Sequence, residues 1–171
     1  MNTNERKTDA MGHAAHNGPQ VKVEGAQGLN NPQGFETEIS LSQAMVGLTL
    51  LNPFLNWGQG QTLWTLCRRG EEKAHFRAIV AGLTATIKTM PKTYETDGQG
   101  LKATAHMHYF TPAFDFYITE KDRTGDGTQQ AFGLACAHER EIGYISIRQL
   151  VEAGAELDLH WTPKTLAEIG R

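Results

Sequence analysis

The feature that most constrains this chain is a two-residue alternation that begins at Ala103 and recurs, between turn signals, as far as Trp161. In 103–110 the residues Ala103, Ala105, Met107 and Tyr109 fall on one side of an extended chain, with Thr104, His106, His108 and Phe110 on the other. Phe114, Phe116 and Ile118 alternate in the same way with Asp115, Tyr117 and Thr119. A period of two does not match the buried stripe of a helix, so the stretch is predicted as strands. Asp122-Arg123-Thr124-Gly125-Asp126-Gly127 has the composition of a hairpin connection, and 131–137, with Phe132, Leu134 and Cys136, that of the returning strand. Further strands are predicted over 143–146 and 157–161. Ser146 with Gln149 three residues on has capping-box form, predicting a short helix that Gly154 closes. Thr162-Pro163 predicts a last helix with proline at its first position, ended by Gly170.

The preceding residues change period. Over 35–51, Ile39, Leu41, Met45, Leu48 and Leu51 approximate one helical face before Asn52-Pro53 stops it. Gly58-Gln59-Gly60 reads as a turn. The segment 61–67 reads as a short strand, because Thr62, Trp64 and Thr65 favour extended backbone. The clearest helix runs over 71–90, where Phe76, Ile79, Val80, Leu83, Ile87 and Met90 share a stripe. Glu71 and Glu72 suit its positive end and Lys88 its negative end, and Pro91 terminates it. Gly82, an unfavourable residue inside that helix, predicts that a neighbouring backbone packs there.

At 171 residues the chain has room for one substantial core. The expected class is α+β: a small antiparallel sheet flanked by helices, with a flexible N-terminal tail. The expected segments are a disordered tail over 1–34, a helical part over 35–90, and a sheet with short helices over 91–171. The tail is rich in Gly, Asn and Gln and poor in large apolar residues, so it buries too little surface to offset its ordering entropy. It has no apolar core of a secretion signal, and the longest apolar run, near Met45 to Leu51, is too short to span a bilayer. The two cysteines, Cys67 and Cys136, make neither a disulfide framework nor a C-x-x-C pair, which fits a reducing cytoplasm. A formal charge of −3 supplies no overall field for nucleic acid.

Several chemical patterns have plain structural readings. His13 and His16 in the tail read as solvated. His106 and His108 share one strand face at a spacing that suits a metal, but two such histidines do not by themselves complete a ligand set, and no metal is expected. Asp122-x-Thr124-x-Asp126-Gly127 imitates a calcium loop, yet its twelfth position is Gly133 where a bidentate Glu is required, so it reads as a turn. Gly58-Gln59-Gly60 and Gly98-Gln99-Gly100 lack the lysine of a phosphate loop, and no cofactor is expected. Cys136 reads as a core cysteine and Ser146 as a helix cap.

His106-Met107-His108-Tyr109-Phe110-Thr111-Pro112, Phe114-Asp115-Phe116-Tyr117-Ile118-Thr119-Glu120, Phe132-Gly133-Leu134, Glu139-Arg140-Glu141-Ile142-Gly143-Tyr144-Ile145-Ser146-Ile147 and Asp158-Leu159-His160-Trp161-Thr162-Pro163-Lys164 follow one another in an order with a likeness elsewhere. Over residues 90–169 they resemble an uncharacterised bacterial family, domain of unknown function two-nine-five-eight. His108 stands where that family favours lysine, and Phe114 and Phe116 where it favours tryptophan. The resemblance implies a small α+β domain of mobile genetic elements, encoded on plasmids, phages or integrating elements beside plasmid-maintenance and anti-restriction genes. It implies no reaction.

These features predict a cytoplasmic, non-enzymatic protein that binds a host or element protein, and the resemblance implies that it does so as an inhibitor of a host defence system. The expected contact residues are Tyr109, Phe114, Phe116, Tyr117, Tyr144 and Trp161, too many aromatics for one core face of so small a sheet. Two alternatives stand beside it. One is a small hydrolase or nucleic-acid-modifying accessory, using His106 with Glu139, Glu141 or Asp158 for proton transfer. The other is a nucleic-acid binder through the basic cluster Arg68, Arg69, Lys73 and Arg77. No membrane partner is expected.

Overall fold

A computed structural model describes residues 38–169. The expected tail with His13 and His16, the expected helix start at 35 and the closing Gly170 lie outside the described residues. The first helix, α1 (Leu41–Leu51), starts where Ser40 forms a full capping box with Gln43, and a 3₁₀ turn over Asn52–Phe54 with Pro53 near its start ends it. Ala44, Gly47 and Leu51 are its buried positions, with Met45 and Leu48 packed beside them.

The segment 61–67 is not a strand, and Gly58-Gln59-Gly60 is not a turn. Both belong to a helix, α2 (Trp57–Arg68), whose first turn is closed by the Asn56 side chain accepting from the Gln59 amide at 2.9 Å. Leu63 and Cys67, one turn apart, are its buried stripe. Burial of that stripe outweighs the weak extended preference of threonine and tryptophan. The third helix, α3 (Lys73–Thr89), buries Val80, Thr84 and Ile87, with Phe76 and Leu83 packed against the same core.

Gly82 is exposed with open space around it, so no backbone approaches there. The close approach is made at Gly47, where an added Cβ would lie 2.8 Å from Val80 Cγ1 and 2.9 Å from Thr84 Oγ1. It is α1 that needs the small residue where it crosses α3.

The C-terminal half is the antiparallel sheet expected. Its strands are β1 (Thr104–Ala105), β2 (Met107–Phe110), β3 (Asp115–Glu120), β4 (Ala131–Cys136), β5 (Arg140–Ile145), β6 (Glu156–Leu157) and β7 (Lys164–Thr165). Five of them form one sheet in the order β5-β4-β3-β2-β6, and β1 pairs with β7 in a small second sheet. A short helix, α4 (Ile147–Glu152), is capped by Ser146 as expected, and Gly154 follows it at φ +90°. The strand expected over 157–161 stops at Leu157, because Asp158 Oδ1 takes the His160 amide and turns the chain. The last helix, α5 (Leu166–Ile169), begins after β7 and not at Pro163.

Register decides what each side chain faces. Met107 pairs with Ile118 and Tyr109 with Phe116, and these residues join Leu51, Phe54, Leu63 and Val80 in a core between sheet and helices. Ala105 is buried too, but with Leu134 and Leu166 in a second cluster, because the strand breaks at His106 and β1 leaves the main sheet. At the far end of β3, the Lys121 ammonium donates to the Ile87 carbonyl at the end of α3, tying sheet to helix where the helix dipole favours a cation.

Candidate functional site

On the face of the sheet turned away from α1–α3, His108 and Tyr117 are direct cross-strand partners of β2 and β3. Their rings stack with centroids 4.6 Å apart and planes 9° from parallel. Asp115, two pairs along and so on the same face, brings Oδ1 to 2.8 Å from His108 Nε2. The chain leaving β6 brings Asp158: its amide donates to the His108 carbonyl at 2.8 Å, and its Oδ2 lies 3.2 Å from His108 Nδ1. Trp161 closes the group, its ring 5.0 Å from the imidazole and its Nε1 donating to the Ala105 carbonyl at 3.0 Å.

The result is an imidazole held between two carboxylates under aromatic cover, with the His108 side chain only 13% exposed. Both ring nitrogens are taken up by carboxylate oxygens. The arrangement clamps residues 158–161 onto β2 and β3, and Lys164, 4.7 Å over the Trp161 ring, extends it toward β7.

The expected acid–base group does not assemble. Asp158 is engaged by His108, while His106 lies at the break between β1 and β2 with burial pushing its imidazole down. Glu139 and Glu141 are exposed in the β4–β5 turn and on β5. That strand is the edge opposite β6, four strand spacings or roughly 19 Å away. Among the described residues no three His, Cys, Asp or Glu side chains are grouped to hold a metal. The calcium-like segment is a turn: Asp122 accepts from Thr124 and Gln130, and Asp126 accepts from Thr128 and pairs with Arg148 at 2.6 Å. Burial is the largest influence on both thiols, Cys67 and Cys136, and pushes them up, away from the reactive thiolate.

The expected contact aromatics divide. Tyr109 is 0% exposed, its hydroxyl donating to the Phe54 carbonyl at 2.9 Å, so it is a core residue that no partner reaches. Phe116 packs partly into the same core. Tyr117 and Trp161 belong to the clamp, Phe114 lies edge-on to His138 at 5.4 Å, and Tyr144 is exposed. The basic cluster divides as well: Arg77 Nε donates to the Cys67 carbonyl and so caps α2, and Arg68 stacks over Trp64 at 4.3 Å. Arg69 and Lys73 are exposed.

No family profile, curated protein or solved structure matches the chain.

Two further surfaces stand out, and of the expected contact residues they include only Tyr144. One is helical: Trp57 and Trp64 on α2 are left exposed, while Val46 and Leu50 on α1, also exposed, line a separate groove against α3. Met45, Leu48, Leu55, Trp57, Gly60 and Trp64 help line a groove of about 410 Å³ between α1 and α2. The other is a cleft on the opposite face of the sheet, beside Tyr94 and Tyr144. The helical surface escapes sequence reading because Trp64 fits the strand expected over 61–67 equally well and Trp57 adjoins Gly58-Gln59-Gly60, which reads as a turn. Nothing in the polar run from Lys92 to Asp97 marks a site before the fold brings Glu120 beneath it.

Proposed function

We propose that this protein acts by binding another protein through the apolar surface of α1 and α2. Trp57, 82% exposed at the start of α2, carries this reading. A tryptophan in water beside an open apolar groove is costly to a free protein and favourable at a contact, and tryptophan and arginine are the residues on which interfaces concentrate their energy. Met45 and Leu48 of α1 line the groove beside Trp57, and Arg68 stacked on Trp64 adds a charged edge. The partner this chemistry fits presents an apolar side chain to the groove and a carboxylate to Arg68 or Arg69.

On the resemblance to domain of unknown function two-nine-five-eight, we place the protein in the bacterial cytoplasm as the product of a mobile genetic element, with a component of a host defence system as its partner. Among the described residues no helix is long and apolar enough to cross a membrane. The dispersal of His106, Glu139, Glu141 and Asp158 favours binding over the proton-transfer reading.

Capture from host lysate tests the proposal. The native chain is expected to retain a stoichiometric protein that Trp57→Ala releases, with affinity about tenfold or more weaker, as for an interface anchor. Circular dichroism checks that the exposed substitution leaves the fold intact. Repeatedly empty captures, or a partner that Trp57→Ala and Trp64→Ala both retain, would overturn it.

A further inference from the structure

Across the sheet from α1–α3, a cleft of about 440 Å³ opens between the 93–103 segment, Leu166 and strands β3, β4 and β5 of the main sheet. Its floor is one row of cross-strand partners, Glu120 on β3, Phe132 on β4 and Tyr144 on β5. The Phe132 and Tyr144 rings stand at 76° with centroids 5.5 Å apart. Tyr94 supplies a third wall at 73° to Tyr144, where the Tyr144 hydroxyl donates to that of Tyr94 at 3.0 Å. Tyr94 holds this place at φ +80°, the one non-glycine residue with positive φ among those described. So bulky a side chain rarely adopts that conformation, and such outliers cluster at ligand clamps.

What holds the strained residue is a carboxylate. Glu120 is 2% exposed and accepts from the Tyr94 amide at 2.9 Å and from the Thr96 amide and hydroxyl at 2.5 Å each. Both carboxylate oxygens are thus engaged by donors of the 94–96 segment. No lysine, arginine or histidine among the described residues forms an ion pair with it. Asp97 lines the same cleft. The Tyr144 phenol is pushed up first by its hydrogen bond with Tyr94, then by burial, and also by the charges of Glu120 and Asp97, so that field reaches the aromatic walls. Arg123 approaches the Tyr94 ring at 5.6 Å without lining the cleft.

We propose that this cleft is an aromatic cage that binds a methylated ammonium group, with Tyr94, Phe132 and Tyr144 as its walls and Glu120 and Asp97 as its source of negative potential. Ring faces attract a cation whose methyl groups also shed water on entry, and an uncompensated carboxylate beneath them adds a charge term that a neutral ligand does not feel. The volume suits a headgroup or a side chain. The site lies across the sheet from the helical surface proposed above and does not depend on it.

The full chain is titrated with tetramethylammonium, with choline and with a peptide carrying trimethyl-lysine, against 3,3-dimethylbutanol, the uncharged carbon counterpart of choline. The amide resonances of Tyr94, Thr96 and Tyr144 are followed at matched ionic strength. Saturable shifts are expected with the cations and none with the alcohol. Tyr144→Ala, at a side chain 58% exposed, is expected to weaken binding about tenfold, while Tyr144→Phe keeps the ring and stays within about threefold. Asp97→Asn, at an exposed position, is expected to weaken it a few-fold. Tighter binding of the peptide than of choline assigns the site to modified protein, and the reverse to a free small molecule. An equal response to the alcohol, unsaturable shifts with every cation, or full affinity in Tyr144→Ala would overturn the proposal.

Discussion

Three glycines show how much a single Cβ decides in this protein. At Gly133 the added atom would sit 2.0 Å from the Tyr117 carbonyl oxygen, across the β3–β4 ladder where backbone has no room to move. At Gly47 it would meet Val80 and Thr84, side chains of a packed helix crossing. At Gly82 it would meet nothing within 4 Å. Gly133→Ala is therefore expected to lower stability by about 3 kcal/mol, and Gly47→Ala by about 1–2 kcal/mol through overpacking. Gly82→Ala is expected to raise it by up to about 1 kcal/mol, through helix propensity and a less flexible unfolded chain. Urea denaturation of the three variants checks the order, and a neutral Gly133→Ala would contradict the pairing of Gly133 with Ile118 across that ladder.

At the scale of elements, the edge strand β6 has only two residues and depends on a helix for its second neighbour. The Gln59 side chain on α2 donates through Nε2 to the Leu157 carbonyl at 2.7 Å and accepts the Leu157 amide on Oε1 at 3.0 Å, behaving as a one-residue strand. Asn56, the cap of the same helix, donates to the Ala155 carbonyl at 3.0 Å. The start of α2 thus closes the β6 edge of the sheet, which is one way to keep an edge from pairing with another chain. Gln59→Ala strips both bonds from the buried Leu157 backbone and is expected to cost about 2 kcal/mol, with faster hydrogen exchange at the Leu157 amide. Gln61→Ala, exposed on the same helix, is expected to stay within about 0.5 kcal/mol. Equal effects of the two substitutions would dismiss the tether.

For the molecule as a whole, three groups tie stability to pH in the same direction. Burial holds the His106 imidazole below its ordinary 6.5, so as pH falls the unfolded chain takes its proton first. That contribution is complete above the ordinary value and is lost as pH falls through the folded one. The Thr128 hydroxyl, opposed by burial and helped by the Thr128 amide and Arg148, holds Asp126 low. Burial pushes Asp122 up, but the amides of Thr124 and Gln130 and the Thr124 hydroxyl prevail and hold it low as well. Their contribution is present above the ordinary carboxylate value of about 3.9 and disappears below it. Thermal melts are expected to fall in two stages, one starting near 6.5 that His106→Gln abolishes, the other below about 3.9 that Asp126→Asn blunts. A melting temperature unmoved by His106→Gln across the first window would contradict the burial of that ring.

The sequence by itself determined what neighbours along the chain decide. The alternation of 107–110 and of 115–119, the stripe of Phe76, Val80, Leu83 and Ile87, the Ser146 cap and the turn at Asp122 all depend on contacts within a few residues, and each is found where the pattern puts it. Only the tertiary structure decided which of two equivalent histidines is engaged. His106 and His108 share a strand face in the sequence, but β2 pairs on one side with β3 and on the other with β6, which carries Asp158 to His108 from 50 residues away. The same holds for Tyr109, indistinguishable from an exposed aromatic until α1–α3 cover its face, and for Glu120, one more acid on a strand until the Tyr94 loop closes over it. Local pattern sets which backbone conformation is favourable; which face meets another element, and so which side chain is buried, paired or left to a ligand, is settled only when distant segments pack.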